Sequence, residues 1–424
     1  MAQRKRSRVF GATCSAVLLA VVLAVGVGAT SLVPAGATVR TANVLGTKNP
    51  AKGTPAKIGF ITDDLAGTTD NSIETPVVNA ATQWINQYRN GVGGHPIQID
   101  RCVTNGEPGK SLDCANQMIA DKVVAVITGS NRNFQNSWDP LHAAGIPVFA
   151  FAAGYPTALA DPTSTFVFGT GTGALNALNI GAAQNMKPKS KKVSAVVIDV
   201  PAATDPYKTT LPPIYKAAGL DLELNAIPAG TADMTPQMQK VASGNPKGPV
   251  FVLGNDTFCI AAFNGLRTAG YKGTVTAIPQ CFSDATRTAV PADFLSGIQI
   301  AATAPIDNPK DPSMKQYYAV LDKFGASSVD KSRITGVSMF QGITGLNIAT
   351  QNLKGEATPQ SIIAAAKAMP WTEVPATGGL HAQCGASIQP ANPAVCMPGS
   401  LAAVLGADGK AKSYVAVGDD KPTG

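Results

Sequence analysis

The sequence is poor in the residues from which catalytic and metal centres are built. Among 424 residues there are three histidines, and only 14% of the residues are charged. No H-E-x-x-H helix, no G-x-S-x-G elbow and no G-x-x-x-x-G-K-[S/T] phosphate loop occurs. These absences argue against a metalloprotease, an α/β-hydrolase and a P-loop nucleotide hydrolase. We therefore expect a protein that is not an enzyme and that needs no cofactor or metal ion.

A basic block that would indicate nucleic-acid binding is also missing. The formal net charge is +7, but four of the basic residues stand within the first eight positions, before an apolar run over residues 16–33. Small residues follow that run. This order is typical of a secretory signal peptide, and we expect cleavage after Ala37. The alternative is an uncleaved anchor, because the apolar run is near the shortest length that spans a bilayer.

The cysteines contain no C-x-x-C pair, which argues against a zinc site. One of the seven, Cys14, belongs to the signal segment, and the other six fall into close pairs along the chain. Six cysteines allow 15 connectivities, so the sequence alone leaves the pairing open. Pairing of neighbours is the simplest arrangement in an oxidising compartment. It joins Cys102 with Cys114, Cys259 with Cys281, and Cys384 with Cys396.

Short apolar runs alternate with helical stripes along the rest of the chain. Runs such as 123–128, 146–151 and 193–200 are continuous rather than alternating, as expected for strands that helices cover on both faces. The pattern predicts an α/β fold with two doubly wound parallel-sheet lobes. The glycines of the Gly169–Gly173 segment fit a linker between lobes better than a nucleotide site.

The expected domain organisation follows from the order of these runs and from the predicted linker at Gly169–Gly173. Residues 1–37 form the signal peptide and residues 38–54 a flexible leader. Residues 55–170, with about 304–378, form lobe 1. Residues 171–303, with about 379–424, form lobe 2. A terminal hairpin is predicted within 402–417, and the third passage between the lobes near 375–382.

Polar residues follow several predicted strands, where ligands of open parallel sheets bind. Ser130 and Asn131 follow one strand of lobe 1, and Asp256 and Gln280 follow strands of lobe 2. Each can orient a ligand by hydrogen bonds. Each can also be a helix cap or a solvated loop residue, because such residues are common at helix starts.

Several segments together resemble the type I periplasmic binding proteins, in particular the branched-chain amino acid-binding group that serves ABC importers. The resemblance runs over about residues 55–420. It rests on the order and spacing of five short segments, which are 57–60 with 65–67, 91–97, 126–130, 144–147 and 265–271.

The resemblance implies a hinged cleft between two lobes joined by three crossings, and an ABC permease as partner. It places ligand contacts in the loop that contains Leu65 and Gly67, and on Ser130, Ala152, Ala153 and Gly154. Members of the group carry a hydroxyl residue where Gly154 stands, an aromatic residue near Asp256 and an acid near Gln280. Tyr207 is the candidate for the second-lobe aromatic residue.

Because of these departures, the ligand could equally be an amide, a short peptide or another polar or amphipathic solute instead of a free amino acid. We expect an exported, monomeric solute-binding protein for an ABC importer, located in the periplasm, on the cell surface or outside the cell. The alternatives are a sensor of the same fold, read by a signalling partner, and a secreted hydrolase.

Overall fold

The computed structural model describes residues 43–67, 69–152, 155–169, 173–306, 308–385, 392–419 and 421. The predicted signal peptide, residues 1–37, lies outside the described residues, as do the predicted ligand residues Ala153 and Gly154.

The strands include the predicted buried runs and several shorter pieces. In chain order they are β1 (Ala56–Thr62), β2 (Leu65–Ala66), β3 (Thr69–Asp70), β4 (Ile97–Val103), β5 (Ala125–Thr128), β6 (Val148–Ala150), β7 (Thr165–Val167), β8 (Lys192–Ile198), β9 (Asp221–Ile227), β10 (Val250–Leu253), β11 (Val275–Ala277), β12 (Gln299–Ala302), β13 (Thr372–Glu373), β14 (His381–Ala382), β15 (Ser400–Val404) and β16 (Val415–Val417).

The helices alternate with these strands, and proline often stands in their first turn, where its missing N–H costs no hydrogen bond. In chain order they are α1 (Glu74–Tyr88), α2 (Pro108–Ala120), α3 (Phe134–Ala143), α4 (Pro156–Leu159), α5 (Gly173–Asn185), α6 (Pro201–Lys208), α7 (Leu211–Ala217), α8 (Thr235–Gly244), α9 (Asp256–Thr268), α10 (Asp284–Ala289), α11 (Ala292–Leu295), α12 (Pro312–Lys323), α13 (Ile334–Ala349) and α14 (Pro359–Lys367).

The first sheet has the order β4-β1-β5-β6-β7, and all its neighbours pair in parallel. One face packs against α1, α12 and α13, and the other against α2 and α3. Because helices cover both faces, strands such as β5 are buried along their whole length. We call this sheet with its helices the first lobe.

The second sheet has the order β16-β15-β12-β11-β10-β8-β9. Its five strands from β12 to β9 are parallel, and β15 and β16 are an antiparallel hairpin added at one edge, which confirms the predicted terminal hairpin. Its cores contain α8 and α9 on one face and α5 and α7 on the other. This sheet with its helices is the second lobe, so the two doubly wound lobes that were predicted are both present.

The chain passes from the first sheet to the second after β7 and returns after β12. The third passage lies later than predicted. Val395 bridges to Val167 of β7, and the Cys396 N–H donates to the Val167 carbonyl at 2.9 Å. Residues 394–396 therefore lie on the first lobe, and the chain joins the second sheet only at β15. The predicted boundary at about residue 379 is wrong, because the disulfide-bonded segment before β15 packs on the first lobe.

The described part of the predicted flexible leader, residues 43–54, lies against the first lobe. The Trp84 Nε1 donates to the Leu45 carbonyl at 2.9 Å, and the Ala51 N–H donates to the Asn86 carbonyl at 2.9 Å. This segment therefore differs from the expected flexible leader, because a buried tryptophan anchors it on α1.

Helix α13 runs through the interior of the first lobe, and nearly every residue in it is buried. Its Asn347 is fully buried and bridges to the end of α1. Asn347 Oδ1 accepts from Arg89 Nε at 2.9 Å, and Nδ2 donates to the carbonyls of Arg89 and Gly91 at 3.1 and 2.6 Å. The side chain therefore satisfies half-buried and buried polar groups at the C-terminal end of α1.

Replacing Asn347 by alanine should leave these groups without partners. We expect Asn347→Ala to lower the free energy of unfolding by roughly 2–4 kcal/mol. Urea denaturation followed by circular dichroism measures this loss. The matched control is Asn352→Ala at an exposed position just after the same helix, which should change stability by less than about 0.5 kcal/mol. Equal effects of the two substitutions would contradict the bridging role.

Candidate functional site

A cavity of about 400 Å3 lies between the carboxyl ends of the two parallel sheets. In each sheet the strand order reverses at one point, between β1 and β5 in the first and between β8 and β10 in the second. Ligands of open α/β sheets bind at such points. Residues that follow all four of these strands line the cavity, among them Asp63, Ser130, Val200 and Asn255. We call this space the interlobe cavity.

The structure brings together about half of the predicted ligand residues. Those that line the interlobe cavity are Ser130, Asn131, Ala152, Tyr207 and Gln280. Leu65 and Gly67 lie in the β2–β3 hairpin and are not part of the cavity wall. Asp256 lines an adjoining groove of about 290 Å3, which shares Asn255 and Gln280 with the cavity.

A buried carboxylate lies directly beneath the Ser130 loop. Glu74, in the first turn of α1, is fully buried and accepts from the Ser130 N–H at 2.9 Å, from the Ser130 hydroxyl at 2.6 Å and from the Thr62 hydroxyl at 2.6 Å. A methyl group at Gly129 would stand 2.2 Å from Glu74 Oε2, so only glycine permits this approach. The carboxylate thus ties together the ends of β1 and β5.

Burial raises the pKa of Glu74 to about 7. Loss of hydration is the main cause, since it disfavours the charged form. The bonds from Ser130 and Thr62 oppose this effect, and the nearby charge of Asp63 adds to it. Near neutral pH the two protonation states of Glu74 are therefore both populated.

Asp63 and Arg132 form the charged part of the wall. Asp63 is buried; its Oδ1 accepts from the Thr104 hydroxyl, and its Oδ2 accepts from the Arg132 N–H at 3.0 Å and from Arg132 Nε at 3.4 Å. Arg132 Nη2 also donates to the Ala66 carbonyl at 2.9 Å. Within the described part of the chain Arg132 Nη1 donates no hydrogen bond, which leaves its N–H groups available.

Asn131 has a different role from the predicted one. Its Oδ1 accepts from the Ser111 hydroxyl at 2.8 Å and from the Asn133 N–H at 3.1 Å, and its Nδ2 donates to the Ser137 hydroxyl at 3.0 Å. The side chain therefore holds the loop before α3 in place, although the residue itself lines the cavity.

The second lobe supplies a mainly apolar wall, which includes Ile198, Val200, Leu253 and Ile278. Tyr207 belongs to it, with its ring stacked on Phe251 at a centroid distance of 6.1 Å. Among the described residues the Tyr207 hydroxyl has no hydrogen-bond partner. Burial raises the pKa of this hydroxyl well above its ordinary value, so it stays a neutral donor.

A family described as "Periplasmic binding protein" matches residues 55–396. The chain belongs to this family. No curated protein matches the sequence. Family membership implies an extracytoplasmic location, and in the described part of the chain no helix is long and apolar enough to cross a membrane.

Solved structures show the same type I fold. A substrate-binding periplasmic protein from Ralstonia solanacearum is 14% identical with a TM-score of 0.70, over 85% of this chain and 100% of that one. The solute-binding protein of an ABC transporter from R. palustris, in complex with 4-hydroxybenzoate, is 21% identical with a TM-score of 0.65, over 86% and 97%.

A third similar structure is the branched-chain amino acid transporter substrate-binding protein from Streptococcus pneumoniae in complex with isoleucine. It is 14% identical with a TM-score of 0.61, over 86% of this chain and 99% of that one. At such identities these structures establish the shared fold.

Sequence reasoning missed several residues of this binding protein's cavity, in particular Glu74, Arg132, Tyr155 and Asn255. Tyr155 donates to the Arg132 carbonyl at 3.0 Å, and Asn255 caps α9 and donates to Thr69 Oγ1 across the cleft at 3.3 Å. Arg132 and Asn255 follow buried strands directly, so the rule that selected Ser130 also covered them. Glu74 gave no such signal, because an acid in a first helical turn is common.

The three disulfides pair neighbouring cysteines, as the simplest arrangement predicted. Cys259–Cys281 joins α9 to the single helical turn Pro279–Cys281. Asn255, just before α9, and Gln280, within that turn, both line the interlobe cavity. This disulfide therefore connects two segments of the binding protein's cavity wall.

The contact between Gly129 and Glu74 can be tested in the ligand-free protein. We expect Gly129→Ala to lower the free energy of unfolding by about 1–3 kcal/mol, because the new methyl group overpacks a carboxylate that three bonds hold in place. Thermal and urea denaturation measure the change. The matched control is Gly109→Ala at an exposed position of α2, where nothing lies within 4 Å and alanine should stabilise by about 0.5–1 kcal/mol. No loss of stability in Gly129→Ala would refute the close approach.

Proposed function

We propose that this periplasmic binding protein captures a small organic acid with an apolar body and delivers it unchanged to an ABC importer. The observation that carries the proposal is the division of the interlobe cavity. The first lobe presents Nη1 of Arg132 and, two residues before it, the Ser130 hydroxyl, and the second lobe presents a mainly apolar wall. A carboxylate with an aromatic or branched aliphatic body matches both.

The polar groups that a ligand in the cavity can reach include two side chains at the edge of the first lobe, Arg132 and Ser130. The Arg132 guanidinium retains Nη1 for a ligand, and Ser130 lies two residues before it in the same loop. A guanidinium and a carboxylate form charge-assisted hydrogen bonds that are stronger than neutral ones. The anionic end of the ligand is therefore expected at Arg132 and Ser130.

A free amino acid would also bring an ammonium group, and the cavity favours it less. Asp63 is the one carboxylate among the described residues that line the cavity, and Arg132 and Thr104 already use its two oxygens. An ammonium ion buried without a counter-charge is costly. This favours an acid without an amino group over leucine or isoleucine.

The comparisons support the transport role, and one of them agrees with the ligand class. The similar structures from R. palustris and S. pneumoniae are substrate-binding proteins of transporters, and the first holds 4-hydroxybenzoate. That ligand has an apolar ring and a carboxylate, the combination that the cavity of this chain fits.

A panel of paired compounds tests the ligand class. Leucine is compared with 4-methylpentanoate, which lacks only the amino group, and 4-hydroxybenzoate with 4-hydroxybenzamide, which lacks the charge. We expect the two acids to stabilise the protein by about 2.7 kcal/mol at 100 times their dissociation constants. Leucine and 4-hydroxybenzamide should stabilise it less at the same concentrations. Thermal shift measures stabilisation, and mass spectrometry should recover each acid unchanged. Stronger stabilisation by leucine would refute the ligand class, and consumption of a compound would indicate an enzyme.

The role of Arg132 is tested by substitution. We expect Arg132→Met to weaken 4-hydroxybenzoate binding about 10- to 100-fold, because a charge-assisted bond is lost. Binding of 4-hydroxybenzamide should weaken less. Isothermal titration calorimetry measures both. Arg101→Met is the control, because Arg101 pairs with Asp64 outside the cavity. Equal loss for the acid and the amide would show that Arg132 acts only by holding Asp63.

A further inference from the structure

The hydroxyl groups of Ser130 and Thr62 both contact the Glu74 carboxyl group, but they have different freedom. Thr62 is fully buried and its Oγ1 already accepts from the Asp64 N–H at 3.1 Å. Among the described residues Glu74 is the one acceptor recorded for the Thr62 hydroxyl hydrogen. Ser130 instead lines the interlobe cavity, so its hydroxyl can turn towards a ligand.

This difference decides where the proton of a neutral Glu74 points. If the acid donated to Thr62, the Thr62 hydroxyl hydrogen would lose its acceptor in a buried position, which is unfavourable. If the acid donates from Oε1 to Ser130 Oγ, which lies 2.6 Å away, Thr62 keeps its bond to Oε2. The Ser130 hydrogen is then released from Glu74.

We propose that Glu74 is a positioning residue whose proton sets the hydrogen-bond polarity of Ser130 towards the ligand. When Glu74 is ionised, the Ser130 hydroxyl donates to Glu74 and presents only lone pairs to the cavity. When Glu74 is protonated, it donates to Ser130 Oγ, and the Ser130 hydroxyl donates into the cavity. The protein therefore holds an anionic solute more tightly when Glu74 carries its proton, a consequence that rests on the proposed organic-acid ligand.

The charges around Glu74 allow this change near neutral pH. Its pKa of about 7 arises mainly from lost hydration, and the charge of Asp63 raises it further. Several other charged groups near Glu74 or on elements packed against α1 have partners of their own in the described structure. Arg132 is paired with Asp63, Arg333 with Asp70, Arg101 with Asp64, Asp100 with Gln117, and Lys323 with Tyr88.

The sign of the pH dependence follows from the two states. A carboxylate ligand gains a donor and loses a repelling charge when Glu74 is neutral, so its affinity should be highest below the Glu74 pKa. Affinity should fall as pH rises through about 7. By linkage, the bound acid should raise the pKa of Glu74 in turn.

The test uses the chain without its predicted signal peptide and the probe 4-hydroxybenzoate. Between pH 6 and 8 the carboxylate of this probe stays ionised and its phenol stays neutral. We expect the wild-type affinity to fall about tenfold over this range, since one hydrogen bond to a charged group is lost. Glu74→Gln, a neutral isostere, should bind without this dependence, and Ser130→Ala should also lose it while binding more weakly at pH 6. Glu107→Gln removes an exposed charge and should behave as wild type. A constant wild-type affinity, or an unchanged pH dependence in Glu74→Gln, would overturn the proposal.

A ligand-free measurement separates failure of this inference from failure of the ligand class. The carboxyl carbon signal of Glu74, assigned by its absence in Glu74→Gln, should titrate near pH 7 by NMR. Because the folded-state pKa lies above the ordinary value of 4.5, stability should fall between about pH 4.5 and 7 and level off above, and Glu74→Gln should remove this fall. If 4-hydroxybenzoate does not bind at any pH, the ligand class is wrong. If Glu74 is ionised throughout pH 6–8, the inference is wrong whatever the ligand.

Discussion

The carboxyl ends of β1 and β5 leave polar backbone groups beside the cleft, and buried side chains satisfy them. Glu74 accepts from the Ser130 N–H at 2.9 Å, and Asp63 accepts from the Arg132 N–H at 3.0 Å. A buried N–H without a partner costs about as much as a lost hydrogen bond, so the loop after β5 has little freedom to move. Placement of the donors that face the cavity depends on these two carboxyl groups. A flexible loop would lose entropy on every binding event, whereas this loop is already in place.

The wall that the second lobe contributes to the cavity differs in chemistry from the polar edge of the first lobe. Its wall is mostly apolar, with Ile198 and Ile278 at strand ends and Tyr207 packed on the underlying Phe251. Apolar burial is not directional and grows with the area covered, so this wall adds affinity without fixing orientation. The first lobe, by contrast, offers a few directional hydrogen-bonding groups, which in the proposed function would fix the orientation of the ligand. In the function we propose, hinge closure would bring the apolar wall over a ligand that the polar edge has already aligned.

Much of the fold could be predicted from the sequence, because parallel strands covered on both faces appear as continuous apolar runs. Strand β9 was not predicted in this way, because it is a partly buried edge strand with polar residues such as Asp221 and Glu223. The late third passage was missed because the sequence before Cys396 shows no helical or strand periodicity that could be followed. In the site, strand-end position selected Ser130 correctly as a cavity residue. It could not reveal Glu74, whose importance depends on burial between three elements.

Burial of Glu74 lowers the stability of the folded protein above the pKa of this residue. A pKa raised from 4.5 to about 7 means that the folded state forgoes about 3 kcal/mol of stability at pH values above 7, relative to an acid that ionises freely. That is a sizeable part of the stability of a typical domain. A neutral residue at this position would carry no such cost. Ionisable groups kept at such a cost, beside a cavity and with a pKa in the physiological range, are concentrated at functional sites. The energetic argument and the geometry of Ser130 therefore point to the same role, in which the proton on Glu74 matters for the ligand as well as for the fold.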